Sequence, residues 1–331
     1  MSEESNGRSP NPDPGSVPHR QKHQLPEGHA PVRLDKALVE LLGLSRARAK
    51  KLLDDDAVRV NGRRSRKGVN VSGGDTIEVV EGAEAVSDPR APPVPQPELV
   101  VRVAYQDASL VVLDKPAGMP SHPLLPDERG TAANFLAAHF PECVQANAEE
   151  PREAGLVHRL DVETSGLLAA ARTPEAHAAL RAAFAARTVD KRYTALCSGP
   201  LADEGEIELP LAHAPNDKRK MVALGSSEQA QKLKAREAHT EFKVLARKGD
   251  FSLLQVRIDT GVMHQIRVHL SAIGAPIVGD TLYGGPALAG LSRHFLHAAR
   301  LGVTSPATQQ LVQLESPLPQ ELQSVWDGIP T

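Results

Sequence analysis

Apolar positions along the chain fall into two regimes separated by a proline-rich stretch. From Val32 to about Val80, Leu34, Ala37, Leu38, Leu41 and Leu42 recur at the three-and-four spacing that lines one face of a helix, and Gly43 follows as a stop. Ser45 stands where it can cap a second helix, which carries Leu52 and Leu53. Val58 and Val60 then alternate with polar neighbours as on a half-buried strand. Asn61-Gly62 marks a tight turn, and GGDTIEVV leads through another turn into a short strand.

Beyond the prolines, LVVRVAY from Leu99, LVVLD from Leu110, LLAAAR from Leu167, RYTALCSG from Arg192 and FSLLQVRID from Phe251 read as strands. Between them, Thr173-Pro174-Glu175 supplies a cap, a proline at the first helical position and an acid in the first turn. The helix it opens carries an apolar stripe of Ala176, Ala179, Leu180, Ala183 and Phe184. Short strands mixed with isolated helices, without regular βαβ alternation, predict an α+β fold on a mixed, largely antiparallel sheet.

The first 30 residues are polar and rich in Pro, Ser, Asn and Gly, with too little apolar surface to offset the entropy of ordering, so a disordered tail is expected. From Pro89 to Pro97 five of nine residues are proline, which favours an extended connection. The expected organisation is a tail over 1–30, a small α+β unit over 31–82, a proline-rich linker over 83–98 and a large unit over 99–331.

Composition narrows the chemistry. Of 331 residues, 40% are hydrophobic and 24% charged, which is ordinary globular usage, while aromatics are only 3%, so Ala and Leu must fill most of the core. The net charge of −3 hides an asymmetry: nine Lys or Arg between Arg46 and Lys67 face three Asp, leaving −9 for the rest of the chain. Cys143 and Cys197 lack a CxxC partner and read as small buried hydrophobes. His264 with His269, and His294 with His297, have no acidic third ligand in sequence, so packing or hydrogen bonding is expected of them and no metal is predicted. His122 and His158 are expected to be structural or supporting groups at a cleft. No apolar run is long enough to span a bilayer, and the start lacks the features of a signal peptide, so a soluble cytoplasmic protein is expected. No Walker A, GxGxxG or nucleophile-elbow pattern occurs, and no cofactor is expected.

The densest chemical signal is HRLDVETSGL, His158 to Leu167, which sets Asp161 just after Arg159 and Leu160 and just before a small-residue turn. Such an aspartate can cap a turn, or pair with Glu163 as glycosidase carboxylates do if the segment is a strand. A saccharide site would call for aromatic platforms, and the chain has one Trp.

Three segments together resemble the Rlu family of RNA pseudouridine synthases. They are DKPAGMPSHP from Asp114, HRLDVETSGL with KRYTAL from Lys191, and TGVMHQIRVHLSAIGAPIVGDTLYG from Thr260, followed by RHFLHAARL from Arg293. The segment RLDKALVELLGLSRARAKKLLDDDAVRVNGRR, ending in GDTIEV, resembles the small S-four RNA-binding domain that precedes the catalytic domain in one branch of that family.

The resemblance implies uridine isomerisation in RNA, with the base flipped out of its stack. It implies Asp161 as the catalytic carboxylate, Arg267 as its ion-pair partner, Tyr193 against the base and Arg159 holding the flipped nucleotide. For the basic segment it implies phosphate contacts from Arg46, Arg48, Lys50, Lys51, Arg63, Arg64, Arg66 and Lys67. Large-subunit ribosomal RNA is the first expected substrate and transfer RNA the second. A monomer is expected, and a non-catalytic RNA-binding protein of the same fold stays open. One departure stands out: Val262-Met263 replaces the family's Arg-Thr pair before HQIR, removing a potential phosphate or loop-orienting contact.

Overall fold

A computed structural model describes residues 20–44, 46–66, 68–80, 90–125 and 127–330. The chain divides into two compact units at Pro89/Arg90.

The first unit contains β1 (Arg20–Gln24), β2 (Val32–Arg33), α1 (Leu34–Leu42), α2 (Arg46–Asp54), β3 (Val58–Val60), β4 (Arg63–Arg64), β5 (Asn70–Val71) and β6 (Thr76–Val80). Its main sheet runs β1-β6-β3-β4, and β2 pairs with β5. Leu34, Ala37 and Leu38 of α1 and Leu52 and Leu53 of α2 bury their side chains with Val58, Ile77 and Val79. Gly43 ends α1 at φ 64°, in the left-handed region that costs glycine no Cβ clash.

One expectation needs correction. Arg20–Gln24 does not belong to a disordered tail: it pairs antiparallel with β6 through five residue pairs, and the Arg20 guanidinium donates to Ala57 O at 2.9 Å. The strand has no apolar run, because backbone pairing on the β6 edge holds it, and backbone pairing leaves no hydrophobic signature. Residues 1–19 lie outside the described part. The proline-rich linker expected over 83–98 is described only in part. Residues 81–89 lie outside the described part, but Pro93 and Gln96 are buried. Asn134 donates to Val94 O at 2.8 Å, and Gly130 N donates to Gln96 Oε1 at 2.6 Å. Gln96 N also donates to Asn134 O at 3.3 Å, so one buried asparagine docks the segment.

The second unit opens with β7 (Arg102–Gln106), β8 (Leu110–Lys115), α3 (Ala132–His139), α4 (Glu142–Ala146), β9 (Ser165–Ala171), α5 (Pro174–Ala185) and β10 (Asp190–Ser198). It continues with β11 (Glu204–Ile207), β12 (Leu211–Ala214), β13 (Asp217–Ala223), α6 (Ser227–Lys232), β14 (Thr240–Lys248) and β15 (Phe251–Ile258). It closes with α7 (Gln265–Ala272), β16 (Leu296–Thr304), β17 (Leu311–Glu315) and α8 (Gln320–Asp327).

The sheet order is β11-β14-β15-β10-β16-β9-β8-β7, with β17 also on β16, and every pairing is antiparallel except β9 with β16. The strands expected from the sequence all form. In α5 the Thr173 hydroxyl accepts from Ala176 N as predicted, while Ala179 is exposed and falls outside the buried stripe. Cys143 and Cys197 are buried and not disulfide-bonded. Among the described residues no helix is long and apolar enough to cross a membrane.

The single parallel contact brings the start of β9, just after Asp161, against β16. Gly166 makes it possible: its φ is +112°, and a Cβ there would lie 2.2 Å from Ala298 O.

Candidate active site

Asp161 opens a tight turn, with Thr164 N donating back to its carbonyl at 3.0 Å, so the segment is not a strand and Asp161 and Glu163 do not share a strand face. Side chains from three parts of the chain hold this turn. Ser121 exchanges hydrogen bonds with Leu160, donating to its O at 2.8 Å and accepting from its N at 3.0 Å. Lys115, fully buried, donates to the carbonyls of Pro116, Met119 and Val162 at 2.9, 2.8 and 3.1 Å. Burial, with Arg293 nearby, pushes its ammonium down to about 7 against the pull of Asp161 and Glu163. From the far side, Arg293 donates to Glu163 O at 2.8 Å and to Ser165 Oγ at 3.1 Å, and His294 Nε2 meets Thr164 Oγ1 at 2.8 Å. The turn is thus fixed from both ends, and Asp161 keeps a partly open side chain, 26% exposed.

Arg267 lies on α7, which the HQIR segment begins. Its Nη1 donates to Asp161 Oδ2 at 2.9 Å, as the family resemblance implied. Its other two nitrogens grip Asp280, Nε at 2.6 Å and Nη2 at 2.9 Å. Burial opposes the charge on Arg267, but the hydrogen bonds to Asp280 and the nearby Asp161 outweigh it, so the guanidinium is held more firmly protonated than usual. One carboxylate oxygen of Asp161 is committed to this pair, and no side-chain donor among the described residues hydrogen-bonds the other.

Tyr193 sits on β10 where the pairing to β16 slips by a bulge between Arg192 and Thr194, a device that re-aims a side chain. It is buried, and burial together with the charge of Asp161 drives its phenol well above the ordinary range. Arg159 is exposed and, among the described residues, holds no side-chain hydrogen bond or ion pair, so its guanidinium is available to an anionic ligand.

His264 departs from expectation. It caps α7 at φ 56°, a strained conformation for a non-glycine residue, and its Nε2 lies 3.8 Å from Asp161 Oδ2. Its Nδ1 meets the Tyr283 hydroxyl at 2.8 Å. Burial holds the ring below the usual histidine range, with Asp161 pulling the other way. The other three histidines of the two pairs pack as expected: His269 between Thr240 Oγ1 and Leu209 O, His297 between Ser165 Oγ and Ser316 O, and His294 on Thr164. His158 accepts from Ala169 N and stacks on Phe184, while His122 is buried beside the turn, with Arg159 among the charges acting on it.

The sequence motifs contained Asp280, Tyr283 and Lys115, but residue type alone did not single them out. Asp280 carried a usable signal: an acid directly after the apolar run Ala275–Val278 and Gly279. Val262 and Met263 have a packing explanation, since Val262 is buried with Leu211, Met221, Ala238, Val268 and Tyr283, and Met263 packs against that cluster.

Of the basic residues in the first unit, Arg46, Lys50, Lys51, Arg63, Arg64 and Arg66 are exposed. Arg48 is buried, at 6% exposure, which corrects its placement on the exposed basic surface: the residue falls on the inner side of α2 beside buried Ala49. Lys67 lies outside the described residues. One group of potential metal ligands occurs among the described residues, Glu206, Glu208 and His239, with ligand atoms within 4.8 Å of one another. Both glutamates are exposed, and His239 already contacts Asp259 at 3.2 Å.

Comparison with known proteins agrees with this geometry. Residues 109–272 match the RNA pseudouridylate synthase family, and residues 32–77 match the S4 domain. The chain is 34% identical over 315 residues to a ribosomal large subunit pseudouridine synthase D from Nitrosomonas europaea, covering 92% of this chain and 86% of that one. An uncharacterized RNA pseudouridine synthase from Chloroflexus aurantiacus is 37% identical over 308 residues, covering 91% of each. Among solved structures, human RNA pseudouridylate synthase domain containing 4 superposes with a TM-score of 0.51 at 25% identity, covering 69% of this chain and 94% of that one. A carboxylate fixed on a braced turn, a buried arginine paired to it and an amino-terminal S4 domain thus coincide in one chain, which belongs to the RNA pseudouridine synthase family.

Proposed function

We propose that this protein isomerises uridine to pseudouridine in large-subunit ribosomal RNA, with Asp161 as the reacting carboxylate. The observation that carries the reading is the asymmetry of Asp161: one oxygen is tied to Arg267 at 2.9 Å, and the side chain remains partly open. A carboxylate so held is oriented while presenting a free oxygen, which suits either attack on the sugar or removal of a proton from it.

The reaction breaks the C1′–N1 bond, turns the base and forms C1′–C5. The hydrogen on C5 leaves as a proton and N1 gains one, so the conversion is redox-neutral and needs no cofactor. Tyr193 serves the base, and exposed Arg159 holds the flipped nucleotide. The exposed cations Arg46, Lys50, Lys51, Arg63, Arg64 and Arg66 contact phosphates, which steers and tightens RNA binding. A protein working on ribosomal RNA in this way would act in the cytoplasm.

The ribosomal assignment rests on similarity to relatives named ribosomal large subunit pseudouridine synthases. Mapping pseudouridines in RNA from cells lacking the gene tests it. Loss of one or more sites in large-subunit ribosomal RNA is expected. Loss confined to transfer RNA would replace the substrate, and an unchanged map would favour a non-catalytic RNA-binding protein.

A further inference from the structure

We infer that Tyr283 is a positioning residue, which sets the tautomer of His264 and so aims a second donor, beside Arg267, at Asp161. The inference rests on the proposed role of Asp161. Tyr283 is buried at the end of the GDTLYG segment, and its hydroxyl has two neighbours: Met221 N donates to it at 2.9 Å, and His264 Nδ1 lies 2.8 Å away. The backbone amide can only donate, so the hydroxyl's own proton needs an acceptor, and Nδ1 is the one at hand. His264 then carries its hydrogen on Nε2, the nitrogen 3.8 Å from Asp161 Oδ2.

Three further observations fit this assignment. His264 keeps a left-handed backbone at φ 56°, a cost sustained where surrounding contacts dictate the conformation. The Tyr283 ring meets His264 edge-on with centroids 5.7 Å apart, and the Arg267 guanidinium lies 5.1 Å from the ring centroid. Both groups that face the Asp161 carboxylate therefore rest on one phenol. The chain approaches itself closely enough to permit this because position 285 is glycine, where a Cβ would lie 1.8 Å from Ile277 O.

Met221 belongs to β13, so the same hydroxyl ties the β12–β13 hairpin to the site. That hairpin carries exposed Lys218 and Arg219, with Lys220 Nζ 5.7 Å from the Tyr283 ring centroid.

Two readouts test the inference on the full chain. Side-chain nitrogen NMR of the wild type should show His264 protonated at Nε2 and bare at Nδ1, and Tyr283→Phe should mix the tautomers. In single-turnover assays, Tyr283→Phe should slow conversion about tenfold with RNA affinity within twofold of wild type. The Tyr283→Phe/His264→Ala double variant should be no slower than His264→Ala alone. A wild-type His264 protonated at Nδ1, a Tyr283→Phe rate equal to wild type, a loss seen wholly in RNA affinity, or losses that multiply in the double variant would each overturn it. If the wild type converts no uridine, the proposed function falls while the NMR readout still decides this inference.

Discussion

Arg267 gives two nitrogens to Asp280, at 2.6 and 2.9 Å, and a single nitrogen, at 2.9 Å, to Asp161. The bidentate grip belongs to the deeper carboxylate, whose side chain is 1% exposed. Asp280 fixes the plane of the guanidinium, and Asp161 receives one directed hydrogen bond from an already oriented cation. The partly open carboxylate can then engage a substrate without disassembling the pair beneath it.

Removing the deeper partner should therefore cost both stability and rate. Asp280→Ala leaves a buried guanidinium with one partner, and a loss of about 3–5 kcal/mol in chemical denaturation is expected. Arg267→Lys keeps the charge but not the fork, so conversion should fall at least about tenfold with little change in RNA affinity. Denaturant titration and single-turnover assays check the two variants.

Lys115 gives a second prediction. Its ammonium satisfies three carbonyls around the Asp161 turn, so Lys115→Met strands buried acceptors and should destabilise by about 3 kcal/mol. Because Val162 O is one of those acceptors, the loss should also reach activity, read as a lower rate in protein that is still folded.

Acid should destabilise the large unit through its buried histidines. Burial is the leading cause that holds His122 and His294 at about 4 and His158 at about 3, below the ordinary histidine value. Between the unfolded value of ~6.5 and these folded values, the unfolded chain binds protons that the folded chain refuses. Stability therefore falls as pH drops from about 6.5 toward 4, by up to about 1.4 kcal/mol per unit for each histidine. Melting temperatures across that range measure the slope, and His158→Gln should flatten it.

The apolar pair before HQIR should resist conversion to the family pattern. Val262 is 7% exposed within an apolar cluster that includes Tyr283, so Val262→Arg should destabilise by about 1–3 kcal/mol in thermal or denaturant unfolding.

What was legible in the sequence follows from which forces leave periodic marks. Amphipathic α1, the alternating strands and the Thr173 cap were readable because burial and capping act at fixed spacings. Strand β1 was not, since it is held by backbone pairing with no apolar pattern. The docking of Val94–Gln96 was hidden for the same reason, because it hangs on Asn134 and on carbonyls. Within the site, the Asp161–Arg267 pair followed from resemblance and is present. His264 reads in the sequence as a packing histidine, because its approach to Asp161 depends on a positive φ and on a tyrosine 19 positions away. Arg48 illustrates the converse: a charge run gives its sign but not the burial of each member.

The central claim, that Asp161 acts on uridine, is tested most directly by tritium release from RNA labelled at uridine C5, comparing the wild type with Asp161→Asn. The substitution keeps shape and removes the charge. The wild type should release tritium, and Asp161→Asn should release it at least about a thousandfold more slowly while binding the same RNA. Release by Asp161→Asn within tenfold of the wild-type rate would contradict the account.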